Sequence, residues 1–280
     1  AATNTFTSGA AATNTIGQNM IAGTIISGNT SGTTATPTTI DVDGAGTSDA
    51  ATVKGAGVIT LDSNTGNSAA NQIETLTLEG TSAAVTFALK DANDDPTTIV
   101  ITGTQNVTIS HDQASAAAHT AVTDSTTGSA VTTYSINDAF SADRDLKAID
   151  TDVIGIGVNP DGLANHAITV KDGKTIDFEV ATANQIQLDI DDGATTATTT
   201  GSLNLTFSKD ITSTITIDAT ASSDTVKTLN VATKVAQTGI DIRDEAATKA
   251  LVINLSGSTA AVVDNTTTGS ELNASGLTAS

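Results

Sequence analysis

Leu203-Asn204-Leu205-Thr206-Phe207 alternates apolar and polar side chains residue by residue. That is the period of a β-strand: Leu203, Leu205 and Phe207 fall on one face, Asn204 and Thr206 on the other. The phrase returns as Leu229-Asn230-Val231 and as Leu251-Val252-Ile253-Asn254-Leu255, 26 and 22 residues on. Each copy is followed by a polar turn and a second short strand, such as Thr214-Ile215-Thr216-Ile217-Asp218 or Ile240-Asp241-Ile242. Leu272-Asn273-Ala274-Ser275-Gly276-Leu277 reads as the start of another unit, and Leu76 and Ile99 repeat the spacing earlier. A unit this short cannot bury its own apolar face, so neighbours must stack. The expected fold is therefore all-β, a β-solenoid or β-helix-like repeat stack. Tandem immunoglobulin-like β-sandwiches are the alternative, favoured by a hairpin-like pair of strands across Ser208–Ser213.

Outward from this stretch the chain divides into four regions. Residues 71–110 hold β repeats such as Thr98-Ile99-Val100-Ile101-Thr102, and residues 166–280 form the main β-repeat region. Residues 1–70 are a Thr/Gly/Asn-rich β segment and a candidate assembly arm, with Ile16–Ile26 as the strand to donate to a neighbour. Residues 111–165 read as an insertion or junction. There Asp138, Ala139, Phe140, Ala142, Leu146 and Ile149 are spaced for a short helix. The start at Ala1-Ala2-Thr3-Asn4 reads as a processed end, and the lack of a polar cap near Ser280 as a fragment or a neighbour-capped subunit.

Composition narrows the function. Aromatic residues make up 2% of the chain, without Trp or Cys. Large aromatics normally dominate a thick core, so Val, Ile, Leu and Ala must fill thin, regular layers instead. Without Cys there are no disulfides, zinc–thiolate sites or thiol catalysis. The formal charge is −20. Such a chain cannot replace the counterions of nucleic-acid phosphates, and no apolar run reaches the roughly 18 residues of a membrane span. Neither nucleic acid nor membrane insertion is expected.

The acidic surplus points to cations. Ca²⁺ takes 6–8 oxygens from carboxylates, carbonyls and water, and closely spaced Asp and Asn on turns supply several. Three clusters qualify: Asp41 and Asp43 with Asp49; Asp91, Asn93 and Asp95; and Asp189, Asp191 and Asp192. Asp150 and Asp152 form a further pair. The second cluster matches the first three ligand positions of an EF-hand loop, but Pro96 stands where Gly is required and Thr102 where the bidentate Glu belongs. The plainer reading competes at each cluster: Asp-Gly and Asn-Asp are ordinary turn residues bonded to their own backbone.

Catalytic signatures are missing. The chain has no H-E-x-x-H and no G-x-S-x-G, and Gly155-Ile156-Gly157 meets Pro160 where a dinucleotide-binding loop needs Gly. His111, His119 and His166 are read as exposed loop residues. Asn-x-Ser/Thr at Asn29, Asn106, Asn204, Asn254, Asn265 and Asn273 arises readily by chance in so Asn- and Thr-rich a chain. No catalytic residues are assigned and an enzyme is not expected.

The phrases Ile73-Glu74-Thr75-Leu76-Thr77-Leu78, Lys227-Thr228-Leu229-Asn230-Val231 and Leu272-Asn273-Ala274-Ser275-Gly276-Leu277-Thr278 resemble the repeats of proteobacterial surface-layer proteins. The resemblance covers 71–110 and 166–280. It implies an extracellular, Ca²⁺-dependent lattice on the cell surface, built largely of β-helix-like repeats. The Ca²⁺-binding nonapeptide of related secreted repeat proteins is absent, so no ligand can be carried over by residue. The expected function is a self-assembling cell-surface protein, an S-layer or filament subunit whose partner is itself. The alternative is an adhesin module binding a surface or a cell-surface polysaccharide.

Overall fold

The computed structural model describes residues 4–7, 14–20, 22–26, 38–44, 50–62, 74–89, 96–111, 121–137, 143–157, 167–180, 186–191, 200–211, 214–217, 225–237, 240–244, 251–257, 263–265 and 271–277. Before residue 50 it defines the strands by backbone pairing. The chain forms two compact units, one of residues 1–137 with 148–152, the other of 138–147 with 153–280. In each, every pairing between strands is parallel and joins one turn of a coil to the next. This is the β-solenoid arrangement.

The first unit contains β1 (Asn4–Thr7), β2 (Asn14–Met20), β3 (Ala22–Ile26), β4 (Thr38–Gly44), β5 (Ala50–Asp62), β6 (Thr75–Leu89), β7 (Thr98–Gly103), β8 (Val107–His111), β9 (Ala121–Thr126) and β10 (Thr132–Ile136). One ladder runs β1-β3-β5-β6-β7-β9, the other β2-β4-β5-β6-β8-β10. The long strands β5 and β6 serve both ladders. In β6, Thr75–Gly80 pairs with β7 and Val85–Leu89 with β8. At the corner Gly55, Gly80 and Gly103 stand in one register column. A Cβ on Gly80 would lie 2.8 Å from the Cβ of Gln105, and Gly103 holds φ +102°. Neither position accepts a side chain without moving the neighbouring turn. The core is the inward set Leu76, Leu78, Ile99 and Ile101 on one ladder and Ile59, Phe87, Val107 and Ile109 on the other, all buried.

The second unit contains β11 (Arg144–Asp145), β12 (Val153–Ile156), β13 (Ala167–Val170), β14 (Thr175–Phe178), β15 (Ile186–Ile190), β16 (Thr200–Phe207), β17 (Thr214–Ile217), β18 (Thr225–Thr233), β19 (Ile240–Asp244), β20 (Val252–Gly257), β21 (Val263–Asn265) and β22 (Glu271–Leu277). Odd-numbered strands build one ladder and even-numbered strands the other. Each apolar residue therefore sits above its counterpart one turn away. Ile154, Ile176, Leu205, Val231 and Leu255 form one buried column. Val, Ile and Leu fill most of this core because each layer is only two ladders thick, and Phe178 and Phe207 are the large buried exceptions.

Four expectations are corrected. The strands flanking Ser208–Ser213 form no hairpin: β16 and β17 lie in different ladders. The helix around 136–149 does not form in its described part. Arg144–Asp145 is a strand, and Ile149 makes a parallel bridge to Val122. Residues 138–142 lie outside the described residues. Ile253, not Leu251, shares the register column of Leu203 and Leu229. The slip is two residues, so strand period alone cannot detect it. Within Ile16–Ile26, the strand β3 is already paired on both sides, by β1 and β5, while β2 pairs with β4.

Candidate functional site: the polar faces of the coil stack

Outward-facing side chains in the second unit bond to one another from turn to turn. Asn204, Asn230, Asn254 and Asn273 stand in one register column. Asn230 Nδ2 donates to Asn204 Oδ1 at 2.9 Å, Asn254 Nδ2 to Asn230 Oδ1 at 2.9 Å, and Asn273 Nδ2 to Asn254 Oδ1 at 3.3 Å. At its lower end Asn204 Nδ2 donates to the Gly173 carbonyl at 2.8 Å. At its upper end Asn273 Oδ1 accepts from the amide and hydroxyl of Ser275, at 3.2 and 2.8 Å. In-register parallel strands stack identical amides turn after turn, close enough for this. An amide is well suited because it both donates and accepts, so each rung serves two neighbours. Sequence reasoning saw these residues as solvent-facing. The recurring apolar-Asn-apolar triplet was the signal, with partners 26, 24 and 19 residues apart. Replacing Asn230 with alanine removes two of these bonds and should cost about 1–3 kcal/mol. A urea midpoint within error of wild type would remove the ladder from the account of stability.

Charged groups link turns in the same way. Lys234 Nζ reaches Asp177 Oδ2 at 3.0 Å and Ser208 Oγ at 3.2 Å, spanning β18 to β14. Gln237 is buried and seals a corner: its Oε1 accepts from the Ile211 amide at 2.9 Å and its Nε2 donates to the Lys209 carbonyl at 2.9 Å. In the first unit Thr132 Oγ1 donates to Asp124 Oδ2 at 2.6 Å and accepts from the Asp152 amide at 3.1 Å. The Thr132 amide donates to Asp152 Oδ2 at 2.9 Å. The Asp124 and Asp152 carboxylates therefore pin the start of β10.

The proposed calcium ligands are placed as follows. Asp41 and Asp43 lie on β4. Asp49, Asp91, Asn93, Asp95 and Asp192 lie outside the described residues. Asp189 occupies an outward register position beside Thr169 and is nevertheless fully buried. Asp191 is ion-paired: Lys147 Nζ approaches its Oδ2 at 2.6 Å and Asp145 Oδ2 at 3.3 Å. Among the described residues no three His, Cys, Asp or Glu side chains converge as a metal site. Asp189 and Asp191 alone therefore do not make a Ca²⁺ shell, which needs more oxygens than two carboxylates offer.

The hydrogen bond that Lys147 donates to Asp191, with Asp145 adding to it, holds the Lys147 ammonium above its ordinary pKa of 10.5 against the opposing effect of burial. A raised lysine stabilises the fold fully below pH 10.5, and the contribution is lost as pH climbs through the folded value. The side chain is 32% exposed, so the effect is small. K147M should melt slightly below wild type at pH 8, and the gap should close in strongly alkaline buffer. A gap that widens there would contradict the pairing.

His111 corrects the expectation of exposed histidines. It is 2% exposed, its side chain pointing inward from the end of β8. Its Nδ1 lies 2.8 Å from the hydroxyl of Tyr134, itself buried one turn away. The last inward position of β8 is polar, and the single Tyr supplies its partner. His119 and His166 lie outside the described residues.

No protein-family model, curated protein or solved structure matches the chain. What the geometry itself defines is an all-β, parallel coil stack in which polar side chains pair chiefly between successive turns. Among the described residues no helix is long and apolar enough to cross a membrane.

Proposed function

We propose that this chain is a structural, self-assembling protein of the cell surface, a subunit of a surface layer or extracellular filament, and that it is not an enzyme. The observation that carries this reading is the use made of the polar side chains. Asn204, Asn230, Asn254, Lys234 and Gln237 all join turn to turn. A catalytic site instead needs polar groups converging on a space where a substrate fits. The repeat phrases resembling those of proteobacterial surface-layer proteins support the same reading. Ca²⁺ is the proposed stabilising ion, its ligands drawn from the Asp-rich clusters Asp41, Asp43 and Asp49, Asp91, Asn93 and Asp95, and Asp189, Asp191 and Asp192. A charge of −20 gives copies of the chain a reason to need it, since like charges oppose association until a cation intervenes.

Negative-stain electron microscopy of the purified chain, with Ca²⁺ and with chelator, tests the proposal. Sheets or filaments with Ca²⁺ that disperse with chelator are expected. A monodisperse monomer at high concentration in Ca²⁺ would overturn self-assembly and favour an adhesion module. Polymers indifferent to chelator would overturn the role of calcium alone.

A further inference from the structure

We infer that Asn106 is the acceptor of an N-linked saccharide, and that Asn204, Asn254 and Asn273 are not. This rests on the cell-surface part of the proposed function, since Asn-x-Ser/Thr marks an acceptor only in an exported chain. The motif is common here by composition, so by itself it selects nothing. The fold does select. A bulky sugar needs an amide nitrogen left open on the outside of the folded chain. At Asn204, Asn254 and Asn273 that nitrogen is taken. Each Nδ2 donates along the ladder, to the Gly173 carbonyl at 2.8 Å, to Asn230 Oδ1 at 2.9 Å and to Asn254 Oδ1 at 3.3 Å. At two of these motifs the hydroxyl is taken as well. Ser256 Oγ donates to the Val231 carbonyl at 3.2 Å, and Ser275 Oγ to Asn273 Oδ1 at 2.8 Å. Asn29, and the Thr267 that completes the motif of Asn265, lie outside the described residues.

Asn106 stands differently. It is exposed, between the Gly103 corner and the start of β8. Its backbone carbonyl accepts from the Val85 amide at 3.0 Å, and its side-chain Oδ1 accepts from the Val131 amide at 2.8 Å. A backbone amide can only donate, so this contact fixes the oxygen toward Val131 and turns Nδ2 away from it. Among the described residues Nδ2 has no hydrogen-bond partner. Thr108, two residues on, takes an outward position of β8, and its hydroxyl is likewise uncommitted among the described residues. The saccharide comes from a glycosyl phosphate donor. A bond forms from Nδ2 to the anomeric carbon as the bond from that carbon to the phosphate oxygen breaks. The phosphate leaves with the electron pair, and the Nδ2 proton passes to solvent. The product is a secondary amide whose Oδ1 is still a carbonyl acceptor, so the bond from Val131 survives. At Asn204 or Asn254 the same product would crowd a sugar ring into a ladder of strands about 4.8 Å apart.

The test uses the chain isolated from the cells that make it. Cleavage after Lys90 and Arg144 releases a peptide in which Asn106 begins the only Asn-x-Ser/Thr. Fragmentation mass spectrometry is expected to place a saccharide on Asn106 and none on Asn204, Asn254 or Asn273. N106Q and T108V, made in the same cells, should both lose that mass, while T108S and N204Q keep it. T108V is the cleaner of the two losses. It preserves the contact of Asn106 with Val131 and a β-branched side chain on β8, so the fold is kept while the motif is removed. An unmodified Asn106 in chain recovered from the cell surface would overturn the inference and leave the location standing. Unmodified chain recovered only from inside the cell would overturn both. Saccharide found on Asn204 or Asn254 of the folded protein would overturn the selection by the ladder, and mass retained in T108V would overturn the motif at Asn106.

Discussion

Replacing Phe207 with alanine should lower the free energy of unfolding by about 3–5 kcal/mol, the range for deleting a large buried aromatic. Phe207 and Phe178 are register partners on β16 and β14, and neither has exposed surface. Their rings stack at 5.3 Å between centroids with planes 16° apart, an arrangement that adds about 0.5–1.5 kcal/mol beyond area burial. A thin coil has little material with which to refill the space. The rungs above and below are pinned by their own ladders, so collapse around the cavity is limited. In a stack, stability is a sum of turns and of interfaces between turns, and F207A weakens two interfaces at once. Chemical denaturation measures the loss, with F207L as control. Leucine keeps most of the apolar volume and should recover more than half of the lost stability. A loss below about 1 kcal/mol for F207A would mean that the turns repack freely.

The strand period was legible, and so was the stacking, because both follow from one-dimensional signals. Alternation placed Leu203, Leu205 and Phe207 inward, and the recurrence of Leu229 implied a neighbour one turn away; both hold. What one dimension does not carry is register. Leu251 and Ile253 have the same parity, and only the ladder decides which of them meets Leu229. The corner at Gly55, Gly80 and Gly103 was not read from the sequence, although a Gly closes each of three successive strand phrases there. Its cause, a Cβ colliding with the next turn, exists only once the turns are stacked. His111 failed for a related reason. Histidine is polar, and nothing local reveals that Tyr134, 23 residues on, brings a hydroxyl to its ring nitrogen. The helix around residue 140 was drawn from spacing that suits period 3.6. Leu146 and Ile149 are indeed buried, but each by a separate strand contact rather than along one helical face.

Substituting Gly257 separates the packing of the last turn from that of the rest. Gly257 ends β20 at φ +130°, a conformation that L side chains rarely adopt. It is opposed by Thr233 on one side and Leu277 on the other. A Cβ built there would lie 2.5 Å from the Thr233 carbonyl oxygen and 3.0 Å from its amide nitrogen, besides meeting its hydroxyl. These are backbone atoms of a buried residue and cannot swing aside. Backbone strain and overpacking together should cost G257A roughly 2–4 kcal/mol. The damage should be local. In the column Phe178, Phe207, Thr233, Gly257 the β14 and β16 rungs are filled by stacked rings, so relief comes from lifting the end of β20 and, with it, β22. Hydrogen exchange should therefore quicken at the amides of β20 and β22 and stay slow in β14 and β16. Equal protection loss throughout the unit would mean that its turns unfold as one and that the last turn has no separate stability.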